Sequence, residues 1–129
     1  MTRDEIYEQA KQMLGGVPGW LKQAPDGVLQ QFFTTFTWLF TETTLSARDK
    51  ALVAFGAAVA THCRYCIPFH TAQSKLHGIE DEELQEAAWV VNSVAGFSAY
   101  LYGTEYDLDT FLAELEAAIT HITSQAGEG

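Results

Sequence analysis

Apolar residues recur every three or four positions along almost the whole chain, and nowhere does an alternating apolar–polar run sit between turn residues. That periodicity predicts an all-α fold and leaves no segment for a sheet. Ile6, Ala10, Met13 and Leu14 predict a first short helix, ended by Gly15 and Gly16. A turn-rich connection over 15–27 follows, with Pro18, Pro25 and one helical turn around Trp20 and Leu21. Asp26 is placed to cap the next helix. Its stripe is Val28, Leu29, Phe32, Phe33, Phe36, Leu39 and Phe40, and aromatics at this spacing read as core or subunit interface. Ser46 is a good N-cap for a helix to about Thr61, with Asp49 in the place of a capping-box acid. Residues 52–60 are apolar nearly all round, which predicts a central helix packed on several sides. A helix over about 65–76 accommodates Pro68 only in its first turn, and Gly78 stops it. Glu80 or Asp81 caps a further helix that carries Leu84 through Leu101. Residues 103–106 form a turn, and a last helix starts near Asp107 with Leu108, Phe111, Leu112, Leu115, Ala118 and Ile119. Residues 124–129 read as a flexible, frayed tail. The expectation is one domain over 1–129, with its core at about 26–122.

At 129 residues the chain is long enough for one real core. A net charge of −10 argues against nucleic acid and anionic membranes as partners, since both need clustered Lys and Arg. No stretch reaches the ~18 uninterrupted apolar residues of a membrane span. The charged start Met1-Thr2-Arg3-Asp4-Glu5 is unlike a signal peptide. A cytoplasmic protein is expected. In a reducing compartment two cysteines three apart point to catalysis or metal binding rather than to a structural staple.

Those cysteines lie in Cys63-Arg64-Tyr65-Cys66-Ile67-Pro68-Phe69-His70. On a helix, 63, 66 and 70 share a face. Pro68 puts the cysteines at or just before a helix N-terminus, where free amides and the macrodipole favour a thiolate. His70, four residues after Cys66, is placed to move its proton, and Cys63 to close the disulfide; the spacing leaves the reverse assignment open. Tyr65 reads as a packing residue, and Arg64 as an exposed cation of small effect on a thiolate. No nucleotide, flavin or haem motif is present, so no cofactor is expected and electrons must come from an external dithiol.

The run Leu45-Ser46-x-x-x-Lys50-Ala51-Leu52-Val53-Ala54, then Cys63-x-x-Cys66-x-x-x-His70, Gly78 and Glu80-Asp81-Glu82-Glu83-Leu84, resembles the carboxymuconolactone decarboxylase/AhpD-like family. The resemblance covers roughly 45–101, and the continuation to Phe111 fits as well. In the AhpD-like branch it implies an all-helical subunit that forms trimers or hexamers. It implies a thiol centre that reduces peroxide or disulfide substrates and is re-reduced by a lipoyl-type or thioredoxin-like dithiol donor. Cys63 and Cys66 would be the redox pair, and His70 part of the proton relay. Two positions depart from the pattern. The glutamate common twelve residues before the first cysteine is Ala51, and the histidine before the second cysteine is Tyr65. The relay is thus truncated: Asp49 and Lys50 neighbour the first gap, but one residue turns a helix by about 100°, so neither substitutes automatically, and Glu42 or an acid from the following helix could enter in the fold. The lactone decarboxylase branch generally lacks the cysteine pair, which argues against that reaction here.

Two rival readings remain. A structural zinc site would use Cys63, Cys66 and His70, with His77 as a fourth ligand. His70 and His77 are then separated by about 10.5 Å of helical rise, and His62 points away. The other rival is a non-catalytic helical oligomer with vestigial cysteines. His121 reads as a surface residue, and Asn92 as a satisfied buried amide or an interface contact.

Overall fold

In the computed structural model, which describes residues 1–128, helices follow one another as α1 (Arg3–Leu14), α2 (Gly19–Lys22), α3 (Asp26–Leu39), α4 (Ala47–Ala60), α5 (Cys66–Leu76), α6 (Asp81–Gly103) and α7 (Leu108–Glu128). No strand occurs among the described residues, as the periodicity predicts. The chain divides into two units, Met1–Ala87 and Ala88–Gly129.

In the first unit α1 is closed at both ends. Thr2 and Glu5 form a reciprocal capping box, and Gly15, at φ 79°, sends its N–H back to the Lys11 carbonyl. Ile6 and Ala10 pack with Leu21, Ala24, Leu29 and Phe33 into the core. Asp26 does not cap α3. Pro25 takes the N-cap position in an extended conformation, which makes Asp26 the first helical residue. Its carboxylate accepts from Arg3 Nε at 2.7 Å, while the same guanidinium donates to the Tyr7 hydroxyl at 2.8 Å. Arg3 thereby ties α1 to the start of α3.

The α3–α4 corner is held by an amine. Lys50 is only 3% exposed. Its Nζ donates to the Trp38 carbonyl at 3.0 Å and the Thr41 carbonyl at 2.8 Å, and lies 3.8 Å from the Trp38 ring centre. The buried amine thus ties α4 to two carbonyls at and just beyond the end of α3. Ser46 caps α4, accepting the Asp49 N–H at 3.0 Å, and Glu42 accepts the Ala47 N–H at 3.1 Å. Helix α4 buries Ala47, Lys50, Ala51, Phe55 and Ala58, but Val53 and Ala57 on its other side are exposed. The expectation of a helix packed on several sides fails within one chain: only one face is covered, chiefly by α5. Gly78, at φ 77°, then turns the chain, and buried Ile79 closes the turn by donating to the Ser74 carbonyl. Ion pairs Lys75–Asp81 (3.0 Å) and Arg48–Glu83 fix the start of α6.

In the second unit α6 ends at Gly103, and Glu105, at φ 52°, makes the left-handed turn into α7. Asp107 caps α7, accepting from the Thr110 amide at 2.9 Å and its hydroxyl at 2.8 Å. Helix α7 continues through residues 124–128, where a frayed tail is expected from the sequence; Gly129 lies outside the described residues. No residue from 88 to 127 is buried, Asn92 included, so Asn92 is not a buried amide in this chain. No helix among the described residues is long and apolar enough to cross a membrane.

Candidate redox centre

Helix α4 stops at Thr61, and the residues just after it make the centre. His62, at φ 53°, takes the left-handed position usually given to glycine. Its N–H bonds to the Val59 carbonyl, and the Cys63 N–H to the Ala58 carbonyl, both at 3.1 Å. This pair of bonds closes the end of α4 and turns Cys63 out of that helix. Cys66 opens α5, so the two residues flank its N-terminus with Cα atoms 5.2 Å apart and their sulfurs joined in a disulfide. Pro68 falls in the first turn, where its missing N–H costs no helical bond.

The backbone treats the two sulfurs differently. The Cys66 N–H donates to Cys63 Sγ at 3.1 Å. Negative charge that develops on Cys63 when the disulfide opens therefore meets a hydrogen bond and the positive end of α5. Both cysteines are half-buried, within reach of a small reactant.

His70 lies one turn beyond Cys66 on α5. Its Nδ1 meets Oε1 of Gln73 at 2.7 Å. A carbonyl oxygen only accepts, so Nδ1 carries the hydrogen and Nε2 is left with the lone pair that can take a proton. Gln73 is 1% exposed and thus fixed in place. Phe69 stands edge-on to the His70 ring, with centroids 4.9 Å apart, and Phe36 of α3 lies 5.8 Å from Phe69. Phe69 thus lies between the His70 ring and α3 as part of one aromatic row. Gln73 is the residue that sequence reasoning misses; its only signal is a spacing of three from His70, which puts both on one helical face.

Ala51 is fully buried and supplies no acid. The Glu42 carboxylate accepts the Ala47 amide at the start of α4. The side-chain partner of His70 Nδ1 is thus a neutral amide. The zinc reading finds no support in the geometry. Among the described residues no three His, Cys, Asp or Glu side chains converge on a metal-sized space, and the two sulfurs bond each other. His77 instead faces Phe40, with centroids 6.1 Å apart. Tyr65 is 75% exposed rather than packed, with the Arg64 guanidinium 5.4 Å from its ring centre.

The described residues are thus helical throughout their regular structure, with a joined C-x-x-C pair at the start of α5 and a histidine one turn on. The carboxymuconolactone decarboxylase family, which includes the AhpD-like proteins, matches residues 27–106, and this chain is a member of it. A Paracoccus denitrificans protein described as "Uncharacterized protein 4 in cox locus" is 30% identical over 67 residues, covering 52% of this chain and 60% of that relative. The chain thus spans less than two thirds of that relative's length. No solved structure gave a significant match.

Proposed function

We propose that this chain is an AhpD-like thiol oxidoreductase in which Cys63 and Cys66 cycle between dithiol and disulfide at the expense of a peroxide, in an antioxidant role. The observation that carries the reading is the joined pair at the start of α5, with the Cys66 N–H on Cys63 Sγ and His70 one turn along. In the oxidative half, His70 Nε2 takes the Cys66 proton. The thiolate attacks the distal peroxide oxygen, the O–O bond breaks, and the alkoxide leaves with the proton from His70. Cys66 is now a sulfenic acid. Cys63 thiolate attacks that sulfur, and hydroxide departs, is protonated and becomes water. An external dithiol, of lipoyl or thioredoxin type, returns two electrons; a cytoplasmic setting would supply it.

The test is free-thiol titration with intact mass before and after one equivalent of peroxide. Loss of two thiols with a two-dalton mass decrease is expected, and Cys66→Ser should abolish turnover. Unreactive thiols in the reduced protein would leave the non-catalytic oligomer as the better reading.

Assembly belongs to the same proposal. Trp89 (72% exposed), Val90, Val94, Phe97 and Tyr102 (84%) on α6, with Leu112, Leu115, Ile119 and Ile122 on α7, stand open in a stretch that buries nothing. About 40 residues without a core do not hold together alone. An apolar surface of this extent marks an interface. Further copies of this chain, as a trimer or hexamer, are the proposed cover.

A further inference from the structure

The chain sets seven lysines and arginines against seventeen acids. Four of the seven are spent on carboxylates: Arg3 on Asp26, Lys11 on Glu8, Arg48 on Glu83 and Lys75 on Asp81. Lys50 is buried against backbone carbonyls. Among the described Lys and Arg side chains only Lys22 and Arg64 are exposed with no carboxylate in ion-pair range. Lys22 ends α2. Arg64 sits between the two cysteines, whose Cα atoms are 5.2 Å apart.

Arg64 is not folded down onto an acid. Its guanidinium rests against the Tyr65 ring, 5.4 Å from the centroid, and both side chains are exposed. A planar cation held on an aromatic face keeps its donors available to a carboxylate. The field of a −10 chain repels anions in general, so an unpaired, exposed arginine lying between the two cysteines in the chain makes the C-x-x-C loop the favourable approach for an anion. Screening confines the effect to about 8 Å at physiological salt, the scale of the C-x-x-C loop itself.

We propose that Arg64, backed by Tyr65, speeds reduction by those thiol donors in which a carboxylate lies a few bonds from the thiol, without being required for neutral dithiol donors; this rests on the redox reading of the Cys63–Cys66 pair. The donor thiolate attacks Cys66 Sγ, the Cys63–Cys66 bond breaks, and the electron pair passes to Cys63 Sγ, where the Cys66 N–H receives it. A second donor thiolate attacks the donor sulfur of the mixed disulfide and releases the Cys66 thiolate. Two donor thiols become one disulfide, and the pair gains two electrons and, from solvent, two protons.

The oxidised full-length protein is mixed with 3-mercaptopropionate or with neutral 2-mercaptoethanol, and the rate of disulfide opening is read by thiol labelling. The anionic-to-neutral rate ratio should fall about 2–5-fold in Arg64→Gln, the range of an exposed charge contact, and about 0.5 M salt should erase the wild-type preference. Lys22→Gln should leave the ratio unchanged. An unchanged ratio in Arg64→Gln, with reduction otherwise normal, overturns the proposal and leaves the redox reading standing. Failure of both thiols to open the wild-type disulfide overturns the two together.

Discussion

Gln73 decides which nitrogen of His70 can act. With its Oε1 2.7 Å from Nδ1, the ring keeps the tautomer whose Nε2 is basic. Gln73→Leu removes the acceptor and frees the ring. Positioned acid–base groups contribute about 10²–10⁴-fold, and loss of orientation should take at least tenfold from peroxide reduction. Gln73→Glu keeps an acceptor and should retain most of the rate. Measuring the rate against pH for both variants separates a positioning role from a structural one, which would not alter the profile. At this scale the sequence is legible where chemistry dictates residue type: Cys63, Cys66 and His70 announce themselves. Gln73 does not, because an amide has many uses. Nor does Lys50, whose burial depends on carbonyls nine and twelve residues away.

Helix ends carry the next set of effects. Three turns use a left-handed residue with the same bonding: His62 after α4, Gly78 after α5 and Glu105 after α6. Only the glycine is readable in advance, since the path of the next helix sets the other two against their own backbone preference. A side chain in that conformation costs roughly 1–2 kcal/mol. His62→Gly should therefore stabilise the fold by about 1 kcal/mol, and Gly78→Ala, whose new Cβ would touch nothing, should cost about as much. Chemical denaturation of the oxidised protein checks both. Helix starts respond to acid instead. The Glu80 amide, then Arg48, holds the Glu83 carboxyl below its ordinary range, and the Thr110 hydroxyl and amide do the same for Asp107. Unfolded carboxyls titrate near 4, so this stabilisation is whole above that value and is lost as pH falls through the lower folded values. Amide protection at the starts of α6 and α7, corrected for the intrinsic exchange rate, should fall below about pH 4, and Glu83→Gln should flatten the response in α6.

At the scale of the molecule, periodicity gives the helices and their order but not which faces meet. The all-round apolar pattern of α4 suggests a helix enclosed on every side, yet one chain covers only one face. The apolar stripes of α6 and α7 likewise lie open. Apolar spacing records that a surface will be buried, not whether the cover is the same chain. Trp89→Glu with Phe97→Glu should convert the proposed assembly to smaller species and reduce helix content. Sedimentation and circular dichroism would show this; an unchanged sedimentation coefficient would remove these residues from the interface.

The coreless stretch after Ala87 also ties survival to abundance. Under the proposed assembly, a newly made chain below the association threshold offers two unsupported helices to any protease, whereas one that finds its copies hides them. Dilution would then shorten the lifetime as well as shift the equilibrium, and a cell would hold this protein either assembled or hardly at all.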